Sequence, residues 1–459
     1  MAPKFGTSGL RGLVTELTQA CVSNYVHAFA ASCDTGAGLF VGHDLRASSP
    51  DLAKSVARAA AEVGVRVFHC GPIPTPALAL AAIEAGAGAI MVTGSHIPAD
   101  RNGLKFYTPQ GEITKDEEGA ITGALGAPQM RASPAEIIDL PTAAAAYHAR
   151  YANAFRNALD GKSIGVYQHS AVGRDTLSTL LQDLGATVIP LGRSDVFVPV
   201  DTEAVSDGVR QQLRSWAQAH DLTAIVSTDA DGDRPLMTDQ HGDIVPGDIL
   251  GQITAAVLGA DTVVTPVSSN SGVGLSGCFE NVLRTQIGSP YVIAGMQAAK
   301  GCVVGYEANG GFLLGFAAKG PTAPLPALMT RDALLPLLCV LTKAAKTDVA
   351  SLVAAEPARF TVADRLQDID AAQSGPFIAA LRQDSSARSA FLEQLDGKCV
   401  AVDETDGLRM TLHDARIVHL RPSGNAPELR IYVEAGSPAI AHTTLSNGLD
   451  ALRANLRSS

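Results

Sequence analysis

Short runs of aliphatic and β-branched residues alternate with longer Ala- and Leu-rich stretches through most of this chain. Gly38 to Gly42, Val65 to Phe68, Ala89 to Val92, Ser163 to Tyr167, Thr187 to Pro190, Thr223 to Ser227, Thr262 to Val267 and Cys302 to Gly305 are predicted strands. Pro50 to Glu62, Ala77 to Glu84, Arg174 to Leu184 and Val205 to Ala219 are predicted helices between them. Alternation of this kind implies βαβ units and a mainly parallel sheet.

The pattern shifts in three places. An Ala-rich stretch from Thr142 to Phe155 separates a first unit from a second, and another break falls near Gly247-Asp248. After about Ala355, charged segments and strand-like runs at Phe360 to Val362, Arg409 to Leu412 and Leu429 to Glu434 predict an antiparallel α+β unit. The expected organisation is therefore three similar mixed α/β domains, 1–147, 148–248 and 249–358, followed by a smaller α+β domain, 359–459.

Composition agrees with a multidomain globular chain. Of 459 residues, 46% are hydrophobic and 18% charged, which excludes a disordered protein. The formal charge of −11, with no Lys/Arg-rich block, argues against a nucleic-acid partner but not against a small phosphorylated ligand. Seven scattered cysteines without a C-x-x-C pair read as buried thiols in a reducing cytosol. The start of the chain shows no apolar signal region. The longest apolar run, Ala333 to Leu341, contains a proline and is too short to span a membrane. A cytoplasmic protein without membrane partners is expected, either a monomer or a small homo-oligomer.

Three loops follow predicted strands, where open α/β sheets bind ligands. Thr93-Gly94-Ser95-His96-Ile97-Pro98 follows Ala89 to Val92, with Asn102-Gly103-Leu104-Lys105 close behind. Serine is a poor nucleophile unless a base, a metal or prior covalent modification activates it. Asp229-Ala-Asp231-Gly-Asp233-Arg234 gathers three carboxylates that would repel one another without a cation, and hard ions such as Mg²⁺ want oxygen ligands. A calcium EF-hand fails here, since Arg234 stands at the sixth-position glycine and Gln240 at the closing glutamate. The alternative is a solvated acidic turn pivoting on Gly232. Glu307-Ala-Asn309-Gly-Gly follows the strand ending at Gly305.

A fourth loop, Arg421-Pro-Ser423-Gly424-Asn425-Ala-Pro427-Glu-Leu-Arg430, joins two guanidinium groups to Ser, Gly and Asn, the donors a phosphate needs. One competing motif falls away. Gly272-Val-Gly274-Leu-Ser-Gly277 matches G-x-G-x-x-G, but no acidic residue between Glu280 and Glu307 can serve a ribose, so the nicotinamide-enzyme reading has only the glycines behind it. No G-x-x-x-x-G-K-[ST] occurs, which excludes a P-loop NTPase.

Together and in order, these motifs resemble the α-D-phosphohexomutase superfamily. Phe5-Gly-Thr-Ser-Gly-Leu-Arg11-Gly12 is similar to its N-terminal signature. Gly42-His-Asp44-Leu-Arg46, Ser48-Ser49 and Pro74-Thr-Pro76 resemble further landmarks, and Thr93 to Pro98 resembles its phosphoserine loop. The resemblance implies a four-domain phosphohexomutase that interconverts hexose 1-phosphate and hexose 6-phosphate, acting on mannose phosphates and also on glucose phosphates. A phosphorylated Ser95 would donate to the bound sugar phosphate through a hexose 1,6-bisphosphate that also serves as primer.

It further implies Ser95, His96, Lys105 and Arg11 as catalytic residues, with Arg11 and Lys105 as acid/base or charge-stabilising groups. Ser95, Asp229, Asp231 and Asp233 would hold Mg²⁺. Arg234, Glu307, Asn309, Arg421, Ser423, Gly424, Asn425 and Arg430 would bind substrate, with Glu307 on the sugar hydroxyls and the 421–425 loop on the second phosphate. Several positions depart from the family pattern. Asn309 replaces a serine, Gly311 a histidine, Gly94 an alanine and Ile97 an asparagine, which leaves the hexose open. Gly165-Val-Tyr-Gln-His-Ser170 looks most like bacterial members labelled phosphomannomutase. A phosphoglucosamine mutase, and a non-catalytic sugar-phosphate-binding phosphoprotein on the same fold, are the alternatives.

Overall fold

The computed structural model describes residues 3–6, 9–128, 133–423 and 427–457. Four principal sheets follow one another along the chain, with helices packed against them.

The first three sheets share one plan. Parallel strands form the centre of each: Leu39–His43, Val67–Pro72 and Gly88–Val92 in the first, Ser163–Tyr167, Thr187–Leu191 and Ala224–Thr228 in the second, Thr262–Pro266, Asn281–Thr285 and Val303–Tyr306 in the third. The last of these strands then turns back into an antiparallel neighbour: Arg101–Thr108, Pro235–Thr238 and Phe312–Leu314 respectively. The expectation of a mainly parallel arrangement therefore needs a correction. Each sheet is mixed, because a short polar loop lets the chain reverse and pair with the strand it has just left. Those three reversing loops carry Ser95, the Asp trio and Glu307. Topology thus puts all three at the same place in their units, beyond the carboxyl end of a buried parallel strand.

Local chemistry accounts for the element ends. Pro50 sits in the first turn of helix Ser49–Glu62, where a missing N–H costs nothing. Ser206 accepts a hydrogen bond from Val209 N (3.4 Å), so the helix expected from Val205 begins at Asp207, after its cap. The apolar run near Ala333 forms helix Leu334–Ala344, buried against Gly247–Leu258. No helix among the described residues is long and apolar enough to cross a membrane.

One apolar cluster runs through Leu78, Tyr147, Val166, Leu250, Val304 and Leu337, so the first three sheets rest on a shared core. Tyr147 Oη donates to Asp332 Oδ1 (2.5 Å) and Tyr151 Oη to Asp332 Oδ2, fastening helix Ala145–Ala154 to strand Leu328–Asp332. The fourth sheet is wholly antiparallel, in the order Phe360–Gln367, Glu428–Ala435, Ile417–Pro422, Leu408–Leu412, Cys399–Asp403. Leu429, Ile431 and Val433 face its own helices, whereas Arg430, Tyr432 and Glu434 alternate onto the side lining a large cleft.

The cysteines are unpaired as expected, but they are not uniformly buried. Cys70 and Cys339 are, while Cys278 is exposed in the loop following the short helix Gly272–Leu275. That single helical turn is what the G-x-G-x-x-G glycines form.

Candidate active site

Ser95 stands at the mouth of strand Gly88–Val92, 1% exposed, with φ at 52°. A non-glycine residue in the left-handed region is strained and persists only where its surroundings over-determine it. Arg46 supplies that restraint. Its guanidinium donates to the carbonyls of Ser95 (2.7 Å), Ile97 (2.6 Å), Pro98 (2.7 Å) and Arg101 (3.1 Å), while Nε is held by Asp44 Oδ2 at 3.2 Å. Asp44 also accepts from Thr93 Oγ1 (2.8 Å) and Ser49 Oγ (2.5 Å), and Thr93 Oγ1 in turn accepts from Ser95 N (2.8 Å). A side chain at residue 94 would require the Arg46 guanidinium to shift. A Cβ at that position would lie 2.6 Å from Arg46 Cζ.

The serine hydroxyl donates to Asp229 Oδ2 (2.5 Å) and lies 3.3 Å from His96 Nδ1. Asp229, Asp231 and Asp233 are fully buried, and one oxygen from each lies within 4.8 Å of the others. Asp231 Oδ2 accepts from Thr75 Oγ1 (2.6 Å) and Lys105 Nζ (2.6 Å); Asp233 Oδ2 accepts from Lys105 (2.5 Å) and pairs with Arg331 Nη2 (2.8 Å). Asp231 Oδ1 and Asp233 Oδ1 have no hydrogen-bond partner. Buried carboxylate oxygens left this way, in an all-oxygen donor set, fit a hard divalent cation.

The electrostatics follow from this crowding. Burial, then Asp231 and Asp233, push the Asp229 carboxyl well above its ordinary range, while Asp231 stays below its own because Lys105 and Thr75 outweigh burial. Burial pushes Lys105 down, but Asp231 and Asp233 more than reverse it, so its ammonium stays charged. Arg11, across the strand pair from Gly103, is pushed down to about 10 by burial and by Arg234 and Arg331. His96 is held far below its usual value by burial, Arg234 and Arg11, and is neutral. Arg234 Nη1 can only donate, and it lies 2.9 Å from His96 Nδ1. The ring proton is therefore on Nε2, which faces Asp201 at 3.8 Å.

The cleft, about 1830 Å³, is lined by Arg11, His96, Arg234, Glu307, Asn309 and Arg430, among others. Glu307 accepts from Arg331 Nη1 (3.2 Å). Asn309 uses its side-chain oxygen on Gly311 N (3.0 Å), and its carbonyl accepts from Thr202 Oγ1 (3.2 Å). Arg421 lies farther out, its Nε 2.9 Å from both Asp406 carboxylate oxygens, and opposite Arg430 in the strand register. Gly424 and Asn425 lie outside the described residues.

Comparison with known proteins identifies the family. Models of the phosphoglucomutase/phosphomannomutase family match residues 2–130 (α/β/α domain I), 246–360 (α/β/α domain III) and 354–446 (C-terminal domain). A phosphomannomutase of Sinorhizobium fredii is 44% identical over 99% of this chain and 100% of its own. The chain belongs to the phosphoglucomutase/phosphomannomutase family. A Salmonella muenchen phosphomannomutase is similarly related, 45% identical over 96% of this chain and 95% of its own. The fold of this phosphohexomutase is shared with a family protein from Burkholderia thailandensis, at TM-score 0.79 and 22% identity, covering 99% of this chain and 98% of that one.

Some residues of this family member escaped the sequence reading. Arg331 was one: it stands in an Arg-Asp pair that ends a strand before a largely apolar helix, with nothing beside it in the chain to mark its partners. Asp201 and Thr202, from the loop before helix Asp207–Ala219, gave no such signal. Arg46 and Thr75 belonged to recognised motifs, but their partners were not legible.

Proposed function

We propose that the protein is a phosphomannomutase that moves a phosphoryl group between the 1- and 6-positions of mannose phosphate, and of glucose phosphate as a second substrate. The observation that carries this reading is the Ser95 hydroxyl 2.5 Å from Asp229 in a buried carboxylate trio in which two oxygens accept no hydrogen bond. The two curated relatives named phosphomannomutase favour mannose.

In this reading Ser95 carries the phosphoryl group in the resting enzyme, and Asp229, Asp231, Asp233 and the phosphoserine hold Mg²⁺. The ion would supply charge neutralisation for the transferring group. Lys105 and Arg11 offset negative charge on the reacting oxygens. With its ammonium charged by Asp231 and Asp233, Lys105 acts as an electrostatic group and acid, not a free base. Neutral His96, its Nδ1 held by Arg234, orients the loop and excludes water from the serine.

Glu307 and Asn309 take the sugar hydroxyls. Arg421, Ser423, Gly424, Asn425 and Arg430 take the phosphate not being transferred. A hexose 1,6-bisphosphate formed in the cleft reorients and returns its other phosphate to Ser95, and the same compound primes unphosphorylated enzyme. The separate core of the last sheet supports a fourth domain that closes over the cleft. The division at 1–147, 148–248, 249–358 and 359–459 is supported by each principal sheet keeping its strands within one segment, though helices Ala145–Ala154 and Gly247–Leu258 cross two of the cuts.

The test is a coupled assay with mannose 1-phosphate, glucose 1-phosphate and glucosamine 1-phosphate, with Mg²⁺ and a bisphosphate primer. Fastest turnover of the mannose compound is expected. No turnover of any of them sinks the reading, and a preference for glucosamine 1-phosphate moves it to the other branch.

A further inference from the structure

We propose that Arg331 is a positioning residue that couples sugar recognition to the carboxylate centre, standing in the space that a side chain at position 311 would occupy. The inference rests on the phosphohexomutase reading above. It concerns a residue from a different strand than any of the recognised motifs.

Strand Leu328–Asp332 pairs antiparallel with Phe312–Leu314, with Asp332 opposite Phe312, and the Arg331 side chain reaches diagonally to Gly311, its Cδ 3.1 Å from where a Cβ of residue 311 would stand. The Arg331 side chain is 3% exposed, and its two terminal nitrogens go to different loops: Nη2 to Asp233 Oδ2 at 2.8 Å and Nη1 to Glu307 Oε2 at 3.2 Å. A guanidinium fork can bridge two carboxylates in this way, whereas an ammonium is a single point of charge.

The same Asp233 oxygen accepts from Lys105 at 2.5 Å, so Arg331 links Glu307 to the carboxylates that face Ser95. Residue 311 makes this possible. A Cβ there would lie 3.1 Å from Arg331 Cδ and 3.0 Å from the Asp233 carbonyl oxygen, and the latter is backbone that cannot easily move. The absence of a side chain at 311 and the presence of arginine at 331 are therefore one structural feature.

Two opposite effects follow. Arg331 fixes one oxygen of Glu307 and leaves the other for a sugar hydroxyl in the cleft that Glu307 lines. Its positive charge beside Asp233 at the same time opposes a divalent cation on the trio. Removing the charge should loosen the sugar and tighten the ion, whereas damage to a merely structural residue would loosen both.

The experiment uses the full-length enzyme and the variants Arg331→Gln, Arg331→Lys and Gly311→Ala. Mn²⁺ affinity is measured by paramagnetic titration and mannose 1-phosphate affinity by calorimetry. In Arg331→Gln the sugar phosphate should bind about tenfold more weakly, the scale of one charged hydrogen bond, and Mn²⁺ a few-fold more tightly. Arg331→Lys and Gly311→Ala keep the charge, so the sugar should weaken by about the same factor while Mn²⁺ stays within about twofold.

Unchanged sugar affinity in both charge-retaining variants overturns the proposal, as does joint weakening of sugar and Mn²⁺ in Arg331→Gln. Those two variants decide the matter if the glutamine variant does not fold. Wild-type enzyme that neither binds nor turns over the sugar phosphate defeats the functional reading instead. In that case the Mn²⁺ comparison still judges Arg331: tighter binding in Arg331→Gln supports it, and unchanged or weaker binding overturns it.

Discussion

The Ser95 hydroxyl donates to Asp229 at 2.5 Å although 134 residues separate them. The two residues occupy corresponding loops of different sheets, each turning a buried parallel strand back on itself. A phosphate on Ser95 would bring further negative charge beside Asp229, whose carboxyl is already pushed up by burial and then by Asp231 and Asp233. A bound cation would relieve both.

Replacing Ser95 by alanine should lower turnover by at least about a thousandfold, as loss of a covalent nucleophile does. Sugar-phosphate affinity should stay within a few-fold of wild type. Intact-mass analysis of the wild type should show one phosphate mapping to Ser95. A phosphate on another residue, or undiminished turnover in the alanine variant, would remove Ser95 from the mechanism.

Chelation should abolish turnover reversibly, with Mg²⁺ restoring it. Asp231→Asn and Asp233→Asn should each raise the Mg²⁺ concentration needed for half-activity by about tenfold or more, since each removes a charged donor with an oxygen that accepts no hydrogen bond. Full activity of chelated enzyme would contradict a metal role for the trio.

The loop around Ser95 depends on a fork. Arg46→Lys cannot reach the carbonyls of residues 95, 97, 98 and 101 together, so about 2–4 kcal/mol of stability should be lost. Gly94→Ala should cost about 1–3 kcal/mol by displacing the same guanidinium. Both should also slow phosphorylation of Ser95 by the bisphosphate. Thermal midpoints and a phosphorylation time course would check this, and wild-type behaviour in either variant would count against the restraint.

Two buried histidines should each remove stability in mild acid. His169 and His419 are buried and pushed down from 6.5 to about 4, His169 bonding to the Thr228 carbonyl and His419 to that of Asp406. A histidine whose folded value is depressed takes up its proton more readily when unfolded. The native state therefore loses stability as pH drops from 6.5 toward 4, by roughly 3 kcal/mol per group. Asp248, pushed up to about 6 by burial, and Glu203, pushed up to about 7 by desolvation and Asp201, have the opposite sign and offset this loss over the same interval. His419→Gln should shift the slope of the thermal midpoint between pH 6.5 and 4 toward greater relative stability at the acid end than in wild type. An unaltered slope would show that His419 does not contribute to it.

Much of the fold was legible because it is local. All the predicted parallel strands and helices exist, their ends moved by a residue or two, as where the cap Ser206 intervenes, except that Val67–Pro72 runs four residues past its expected end. The antiparallel returns were not read, since Pro235–Thr238 and Phe312–Leu314 are too short to show a period. At the site, Ser95, Lys105, the Asp trio and Glu307 announced themselves by residue type after a strand. Arg331 did not, because nothing in its neighbourhood in the chain points to Glu307 or Asp233.

The sequence alone determined which residues form strands and helices, which loops carry nucleophile, carboxylates and arginines, and which family the ordered motifs resemble. These follow from hydrophobic period, turn chemistry and residue identity over a few positions. Tertiary structure alone decided that Ser95 reaches Asp229, that Lys105 is a charged partner of Asp231 and Asp233, and that Arg331 fills the space left by Gly311. Those contacts join distant segments, and they depend on how sheets with a shared core pack. Short-range pattern along a chain cannot express that.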